Sequence, residues 1–140
     1  MQPKRRLAVL RTKFIPPLQR SSMIYRPKLM KQLKQIEECP LTLIHTGPGY
    51  GKSSALSSFL DTSDKLSCWY SLSKQDENFF HFIVHVVHAV REKFPHFGSE
   101  LIEYLISDEV EGWEEELDYI CIEFCNELLL LKKPFVCVLD

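Results

Sequence analysis

The sequence has no long hydrophobic run, and apolar stretches such as Leu128–Leu131 are far too short to cross a membrane. Its first residues are too charged for the apolar segment of a secretory signal peptide. It also contains no internal repeat, no C-x-x-C pair and no zinc-finger spacing. An odd number of cysteines without a signal peptide indicates reduced thiols in a cytosol; they are Cys39, Cys68, Cys121, Cys125 and Cys137. These absences predict a cytoplasmic protein without membrane contact.

Acidic residues are absent from the first 35 positions, which hold ten lysines and arginines. The stretch Glu100–Glu127 is acidic and has no basic residue, so the formal net charge is only -2. A basic segment can meet DNA, RNA or an acidic surface. No aromatic residue interleaves these charges before Phe14, however, which favours a solvated lead-in. We therefore interpret residues 1–23 as an extended basic N-terminal arm and residues 24–140 as the domain.

Hydrophobic periodicity predicts helices and strands that alternate along the domain. Helices are predicted over Pro27–Ile36, Lys52–Leu60, Asn78–Phe94, Glu100–Ile106 and Trp113–Leu131. Buried strands are predicted over Leu41–His45, Leu66–Leu72 and Phe135–Leu139. Strands separated by helices imply crossover connections and a parallel sheet. The expected fold class is therefore α/β.

A glycine-rich turn follows the first predicted strand and leads into a helix that opens with Lys52 and Ser53. Glycines in such a turn permit positive φ, so that successive N–H groups face a common centre and form an anion site with the helix N-terminus. Lysine supplies positive charge for the β- and γ-phosphates, and the serine hydroxyl ligates Mg²⁺. The predicted nucleotide-binding residues in this segment are Thr46, Gly47, Pro48, Gly49, Tyr50, Gly51, Lys52, Ser53 and Ser54. The full pattern G-x-x-x-x-G-K-[ST] requires glycine where Thr46 stands, and a simple tight turn is the alternative interpretation.

The last predicted strand ends in Asp140. In phosphate-loop NTPases the carboxylate at such a strand end holds Mg²⁺, often through its water shell. A strand that ends in Asp is a weak signal by itself. The phosphate loop about 90 residues upstream strengthens it. Ser53 and Asp140 are therefore the predicted Mg²⁺ residues.

Several segments together resemble one family. Leu10–Arg20 followed by Ile24–Leu29 resembles the opening signature of the MalT-like large ATP-binding regulators of the LuxR type, within the STAND class of signal-transduction ATPases. Gly47–Ser53 is similar to their phosphate loop, a small residue followed by Pro-Ala-Gly-Tyr-Gly-Lys-Thr, in which the missing glycine is normal. Trp69–Leu72, then Asp76–Asn78 with Phe82, resembles their Trp-x-x-Leu strand, acidic turn and following helix.

The resemblance implies a P-loop NTPase, a three-layer αβα fold with a parallel sheet, truncated here after the Walker B strand. It implies an ATP-binding regulatory switch with ATP or ADP and Mg²⁺ as cofactors. Family members are cytoplasmic transcription activators that bind a small inducer, self-associate and bind promoter DNA through further domains, which are absent from this sequence. Related ATPases place a residue near the nucleotide base where Arg26 stands, although an exposed helix start explains it equally well. The acidic partner after Walker B is also absent, so the resemblance does not extend to hydrolysis.

Two other functions stay open at this point. One is a P-loop kinase or general ATPase that acts on a small molecule. The other is a non-catalytic truncated remnant that pairs with an intact relative.

Three smaller groups of residues are interpreted as structural. His81, His85, His88 and Glu92 share the helix face opposite the apolar stripe, which predicts a solvated polar face rather than a metal site. Cys121 and Cys125 adjoin an apolar stripe, which predicts buried thiols. Trp69 and Tyr70 lie on a predicted buried strand, which indicates core packing.

Overall fold

The computed structural model describes residues 8–18, 24–107 and 113–140, without the side chains of residues 113–115. Within these ranges the helices are α1 (Pro27–Leu33), α2 (Lys52–Thr62), α3 (Phe79–Arg91), α4 (Ser99–Ile106) and α5 (Trp113–Leu130), and the strands are β1 (Leu66–Tyr70) and β2 (Phe135–Leu139). Short 3₁₀ helices span Arg11–Phe14, Lys34–Glu37 and Lys74–Glu77. All five predicted helices and two of the three predicted strands are confirmed.

The two strands form a parallel pair in which Leu66 lies opposite Phe135 and Tyr70 lies opposite Leu139. Parallel neighbours need a long crossover connection, and here α3, α4 and α5 supply it. The expected α/β class is confirmed at the level of mixed helix and parallel sheet.

The prediction of a buried strand over Leu41–His45 is wrong. Residues 41–47 adopt no regular structure, and Leu41 and Leu43 are 86% and 87% exposed. A short apolar run becomes a buried strand only where a neighbouring strand satisfies its backbone and other elements cover its side chains. In the described part of the chain β1 and β2 pair with each other, and this run pairs with neither.

Helices pack on both faces of β1, because its side chains alternate between the two faces. Trp69 packs with Val138 of β2 and with Leu33, Phe59 and Leu60 of α1 and α2. On the other face Tyr70 packs with Val86 and Ala89 of α3. Beyond it, the apolar side of α3 meets α4 and α5 in the largest core cluster; its fully buried members are Val84, Val87, Val90, Leu101, Leu105 and Ile120. The predictions that Trp69 and Tyr70 are core residues are confirmed.

Part of the predicted N-terminal arm is packed against the domain. The segment Arg11–Phe14 forms a 3₁₀ helix, and both Lys13 and Phe14 are only 8% exposed. The ring of Phe14 lies near the rings of Tyr70 and His85. A solvated, extended lead-in is therefore the wrong description of this segment. Residues 1–7 and 19–23 of the arm lie outside the described residues.

The polar face of α3 is not fully solvated either, because the same N-terminal segment covers it. His85 is 4% exposed, and its Nε2 accepts a hydrogen bond from the Leu10 amide at 3.3 Å. Its other ring nitrogen, Nδ1, donates to the His81 carbonyl at 2.7 Å. Burial, reinforced by nearby Arg91, lowers the pKa of His88. The sequence pattern missed this burial because the covering residues come from about 70 positions upstream.

The prediction that Cys121 and Cys125 are buried is wrong, because both residues are exposed. The buried side of α5 contains Ile120 instead.

None of the helices in the described ranges combines the length and apolar character that crossing a bilayer requires.

Candidate functional site

The glycine-rich loop owes its shape to two left-handed residues. Gly49 has φ 81° and Gly51 has φ 73°, a region in which only glycine is free of strain. Gly51 is also the N-cap of α2, so the loop turns directly into the helix. Gly47 does not have positive φ; there a Cβ would lie 3.2 Å from the Tyr50 ring. The expected use of positive φ therefore holds for two of the three glycines.

Lys52 folds back across this loop from the first position of α2. Its Nζ donates to the Thr46 carbonyl at 2.9 Å, and the Gly47 carbonyl lies 3.5 Å away. The Thr46 hydroxyl also donates to the Gly47 carbonyl. The ammonium group thus lies at the mouth of the loop, where two carbonyl oxygens accept its hydrogen bonds. A bound anion can replace these oxygens as the acceptor of the charged group.

Ser53 and Asp140 meet although 87 positions separate them: the Ser53 hydroxyl donates to Asp140 Oδ1 at 2.7 Å. The second residue of α2 and the residue after β2 supply these two groups. Backbone hydrogen bonds hold Asp140 in place, from its amide to the Tyr70 carbonyl at 3.0 Å and from the Leu72 amide to its own carbonyl at 2.7 Å. A hydroxyl and a carboxylate side by side match the oxygen ligands that Mg²⁺ prefers.

A cleft of about 270 Å³ adjoins this pair. One wall is β2, the other is the irregular segment 39–44, and Lys52 and Ser53 stand at its edge. Apart from Lys52 and Asp140, its lining side chains carry no charge. The ionic chemistry of the cleft is therefore concentrated where α2 begins.

The remaining predicted nucleotide residues lie at the surface or at the start of α2. Pro48 and Tyr50 are exposed on the loop, and Ser54 is half-buried in the first turn of the helix. Arg26 is the exposed N-cap residue of α1 and does not line the cleft. The structure therefore brings together Thr46, Gly47, Lys52, Ser53 and Asp140, and it leaves Arg26 outside this group.

Sequence reasoning missed a buried polar cluster that includes Tyr70, the residue whose carbonyl accepts the Asp140 amide. Lys13 Nζ donates to Asp76 Oδ2 at 2.5 Å and to the Ser73 hydroxyl at 2.7 Å. The Tyr70 hydroxyl donates to the other oxygen of Asp76 at 2.6 Å. Lys13 and Asp76 both fall within segments that resemble family motifs, but a separation of 63 positions gives no sign that they pair.

The electrostatics of this cluster favour an ionised Asp76 and a neutral Tyr70. Burial by itself would raise the pKa of Asp76, but hydrogen bonds from Lys13, Tyr70 and Ser73 outweigh it and hold that pKa well below its usual range. Burial, and then the hydrogen bond to the Asp76 carboxylate, raises the pKa of Tyr70. The negative charge of Asp76 is thus paired with Lys13 and hydrogen-bonded at both oxygens, rather than isolated.

A metal ion bound by protein side chains alone has no evident site in the described ranges: they contain no group of three or more His, Cys, Asp and Glu residues able to hold one. A scan against protein-family models, a search of curated proteins and a search of solved structures find no match to this chain. The interpretation of the site therefore depends on its geometry and its sequence pattern.

Proposed function

We propose that this chain is the nucleotide-binding part of a P-loop NTPase that acts as an ATP-binding regulatory switch. The observation that carries the proposal is the 2.7 Å contact between Ser53 and Asp140. Phosphate-loop NTPases hold Mg²⁺ between a loop Ser or Thr and a strand-end Asp, and these two residues occupy those roles in sequence and meet in space. A tight turn without a ligand would not require such a meeting.

In this proposal each part of the site has a separate task. Lys52 and the amides of residues 47–53 hold the phosphates, because a left-handed loop at a helix N-terminus presents N–H groups and the positive end of the helix dipole. Ser53 and Asp140 hold Mg²⁺ bound to those phosphates. Mg²⁺ neutralises phosphate charge and fixes the orientation of the nucleotide.

The finer parts of the proposal come from the resemblance to MalT-like regulators. They are the three-layer P-loop NTPase fold, the cytoplasmic location, and a switch whose ATP or ADP state is read by other domains. The binding of a small inducer, self-association and promoter recognition would belong to those other domains. Hydrolysis is not part of the proposal, since turnover also needs a positioned water.

The proposal is tested by thermal unfolding with Mg-ADP or Mg-ATP. At a nucleotide concentration of about 100 times Kd, binding adds about 2.7 kcal/mol to the free energy of unfolding. For a chain of this size that raises Tm by roughly 5–10 °C. We expect Lys52→Ala to abolish the rise, because it removes the ammonium group from the mouth of the loop.

The matched control is Lys132→Ala, which removes an exposed lysine beyond the end of α5. It should keep the full rise in Tm. An equal rise in Lys52→Ala and in the wild type would contradict the proposed site, and the absence of any rise in the wild type would contradict nucleotide binding itself.

A further inference from the structure

The N-terminal segment docks on the edge of residues 70–72 that lies away from Asp140. The Ser71 amide donates to the Lys13 carbonyl at 2.8 Å. On the opposite edge, Tyr70 and Leu72 make the two backbone hydrogen bonds that hold Asp140. The end of β1 is therefore held between the N-terminal segment and the proposed Mg²⁺ residue.

The side chain of Lys13 makes a second set of contacts with the end of β1 and the turn that follows it. Its Nζ reaches Asp76 and Ser73 and lies 5.6 Å from the centre of the Tyr70 ring. The side chains of Lys13 and Asp76 are only 9% and 3% exposed. Asp76 also accepts hydrogen bonds from the Ser73 amide at 2.7 Å and from the Tyr70 hydroxyl. One carboxylate thus ties together the N-terminal segment, the end of β1 and the turn that follows.

This arrangement permits little adjustment. A buried carboxylate that loses its partner is strongly disfavoured, so separating Lys13 from Asp76 is costly. The backbone that the pair fixes is the backbone to which Asp140 is hydrogen-bonded, and only 2.7 Å separates the Asp140 carboxylate from Ser53. A shift of about an ångström at residues 70–72 would separate the two oxygen atoms beyond hydrogen-bond reach.

We propose that Lys13, through its buried pair with Asp76, is a positioning residue that holds the Asp140 carboxylate opposite Ser53. Lys13 itself does not line the cleft beside Ser53 and Asp140. The consequence for Mg²⁺-dependent nucleotide affinity rests on the proposed function, whereas the consequence for the backbone does not. Two experiments therefore separate the two ideas.

The first experiment measures amide hydrogen exchange in the ligand-free protein. We expect Lys13→Met to speed exchange at the Leu72 and Asp140 amides about tenfold or more through local opening, with slower exchange preserved at the beginning of the β1–β2 pair. Lys13→Arg, which keeps the charge, should restore most of the protection. Lys74→Met, at an exposed lysine of the same turn, is the matched control and should change nothing.

Tyr70→Phe provides a milder variant in case Lys13→Met does not fold. It keeps the buried ring and removes only the hydroxyl bonded to Asp76. It should give a smaller acceleration at the same two amides. Unchanged exchange at Leu72 and Asp140, or an equal acceleration along the whole strand pair, would overturn the positioning role.

The second experiment measures ADP affinity by calorimetry, with Mg²⁺ and with a chelator. We expect Lys13→Met to reduce the gain in affinity from Mg²⁺ about tenfold and to leave the affinity in chelator unchanged, because Lys52 and the loop still hold the phosphates. Adding Asp140→Asn to Lys13→Met should cause no further loss, since both changes disable the same group.

The outcomes of this experiment are distinct. Equal losses with and without Mg²⁺, or additive losses in the double variant, would show that Lys13 is merely structural and would overturn the inference. A wild-type protein that binds no ADP would refute the proposed function, and the exchange experiment would still decide whether Lys13 positions Asp140.

Discussion

The two sides of the candidate site are held in very different ways. Asp140 lies at the end of a paired strand and is hydrogen-bonded to Tyr70, whose hydroxyl contacts a buried ion pair with side chains 9% exposed or less. The glycine-rich loop and the segment before it are exposed almost throughout, and Lys52 joins them by hydrogen bonds to two backbone carbonyls. The difference indicates that the Asp140 side of the candidate site is preformed, whereas the loop side depends on few contacts of its own.

The largest expected contrast between the packed and the open regions comes from truncating a leucine in each. Leu105 of α4 is fully buried in the main core, and Leu43 beside the loop is 87% exposed. We expect Leu105→Ala to lower the free energy of unfolding by about 2–5 kcal/mol, because it leaves a cavity. Leu43→Ala should change it by less than about 0.5 kcal/mol. Urea unfolding measures both, and similar losses would refute the comparison.

Glycine substitutions give the next contrast, since Gly98 and Gly49 both have positive φ. A Cβ at Gly98 would lie 2.5 Å from Val87 Cγ1, whereas a Cβ at Gly49 would meet nothing within 4 Å. Gly49→Ala should therefore cost only the strain of the left-handed backbone, about 1–2 kcal/mol. Gly98→Ala should cost that strain plus about 1–3 kcal/mol of overpacking. Equal losses of unfolding free energy in chemical denaturation would show that the core around Gly98 accommodates an added methyl group as easily as the loop does.

Acid should lower the free energy of unfolding through protonation of Asp76 on the packed side of the site. Its pKa lies below the ordinary value of 3.8 in the folded protein. The unfolded chain therefore binds the proton first, so the stabilisation is fully present above the ordinary pKa and is lost as pH falls towards the folded one. Between about pH 5 and about pH 2, the free energy of unfolding should fall more steeply in the wild type than in Asp76→Asn. Parallel pH profiles would count against an ionised, buried Asp76.

Cysteine labelling gives the smallest but simplest test of the comparison. Cys68 of β1 is 2% exposed, and burial raises its pKa to about 12. Cys39, which lines the cleft, is exposed, as are Cys121, Cys125 and Cys137. A thiol reagent at neutral pH should modify Cys39, Cys121 and Cys125 at least about a hundredfold faster than Cys68. Rapid modification of Cys68 in the native protein would mean that β1 is accessible.

The predictions that succeeded were those with a local physical cause. The apolar stripe of α3 follows a 3.6-residue period, so the helix forms wherever that stripe meets a core. The loop likewise depends on residues that are neighbours in sequence, with glycine at the two left-handed positions and Lys52 at the start of α2.

The predictions that failed depended on distant partners. Leu41–His45 has the composition of a strand, but a strand exists only where another pairs with it. The sequence predicts a solvated polar face for α3, yet Leu10 and Phe14 of the N-terminal segment contact His85 on that face. Cys121 adjoins an apolar stripe by spacing, and the orientation of α5 against α4 left it exposed.

The amino-acid pattern alone thus determined the five helices, two strands, the parallel arrangement and the identity of Lys52, Ser53 and Asp140 as the predicted site residues. Tertiary structure decided that Ser53 and Asp140 touch, that Lys13 pairs with Asp76, and that part of the basic arm is buried. Periodicity and turn chemistry act over a few residues and can be read directly, whereas contacts across 63 or 87 positions depend on how whole elements pack.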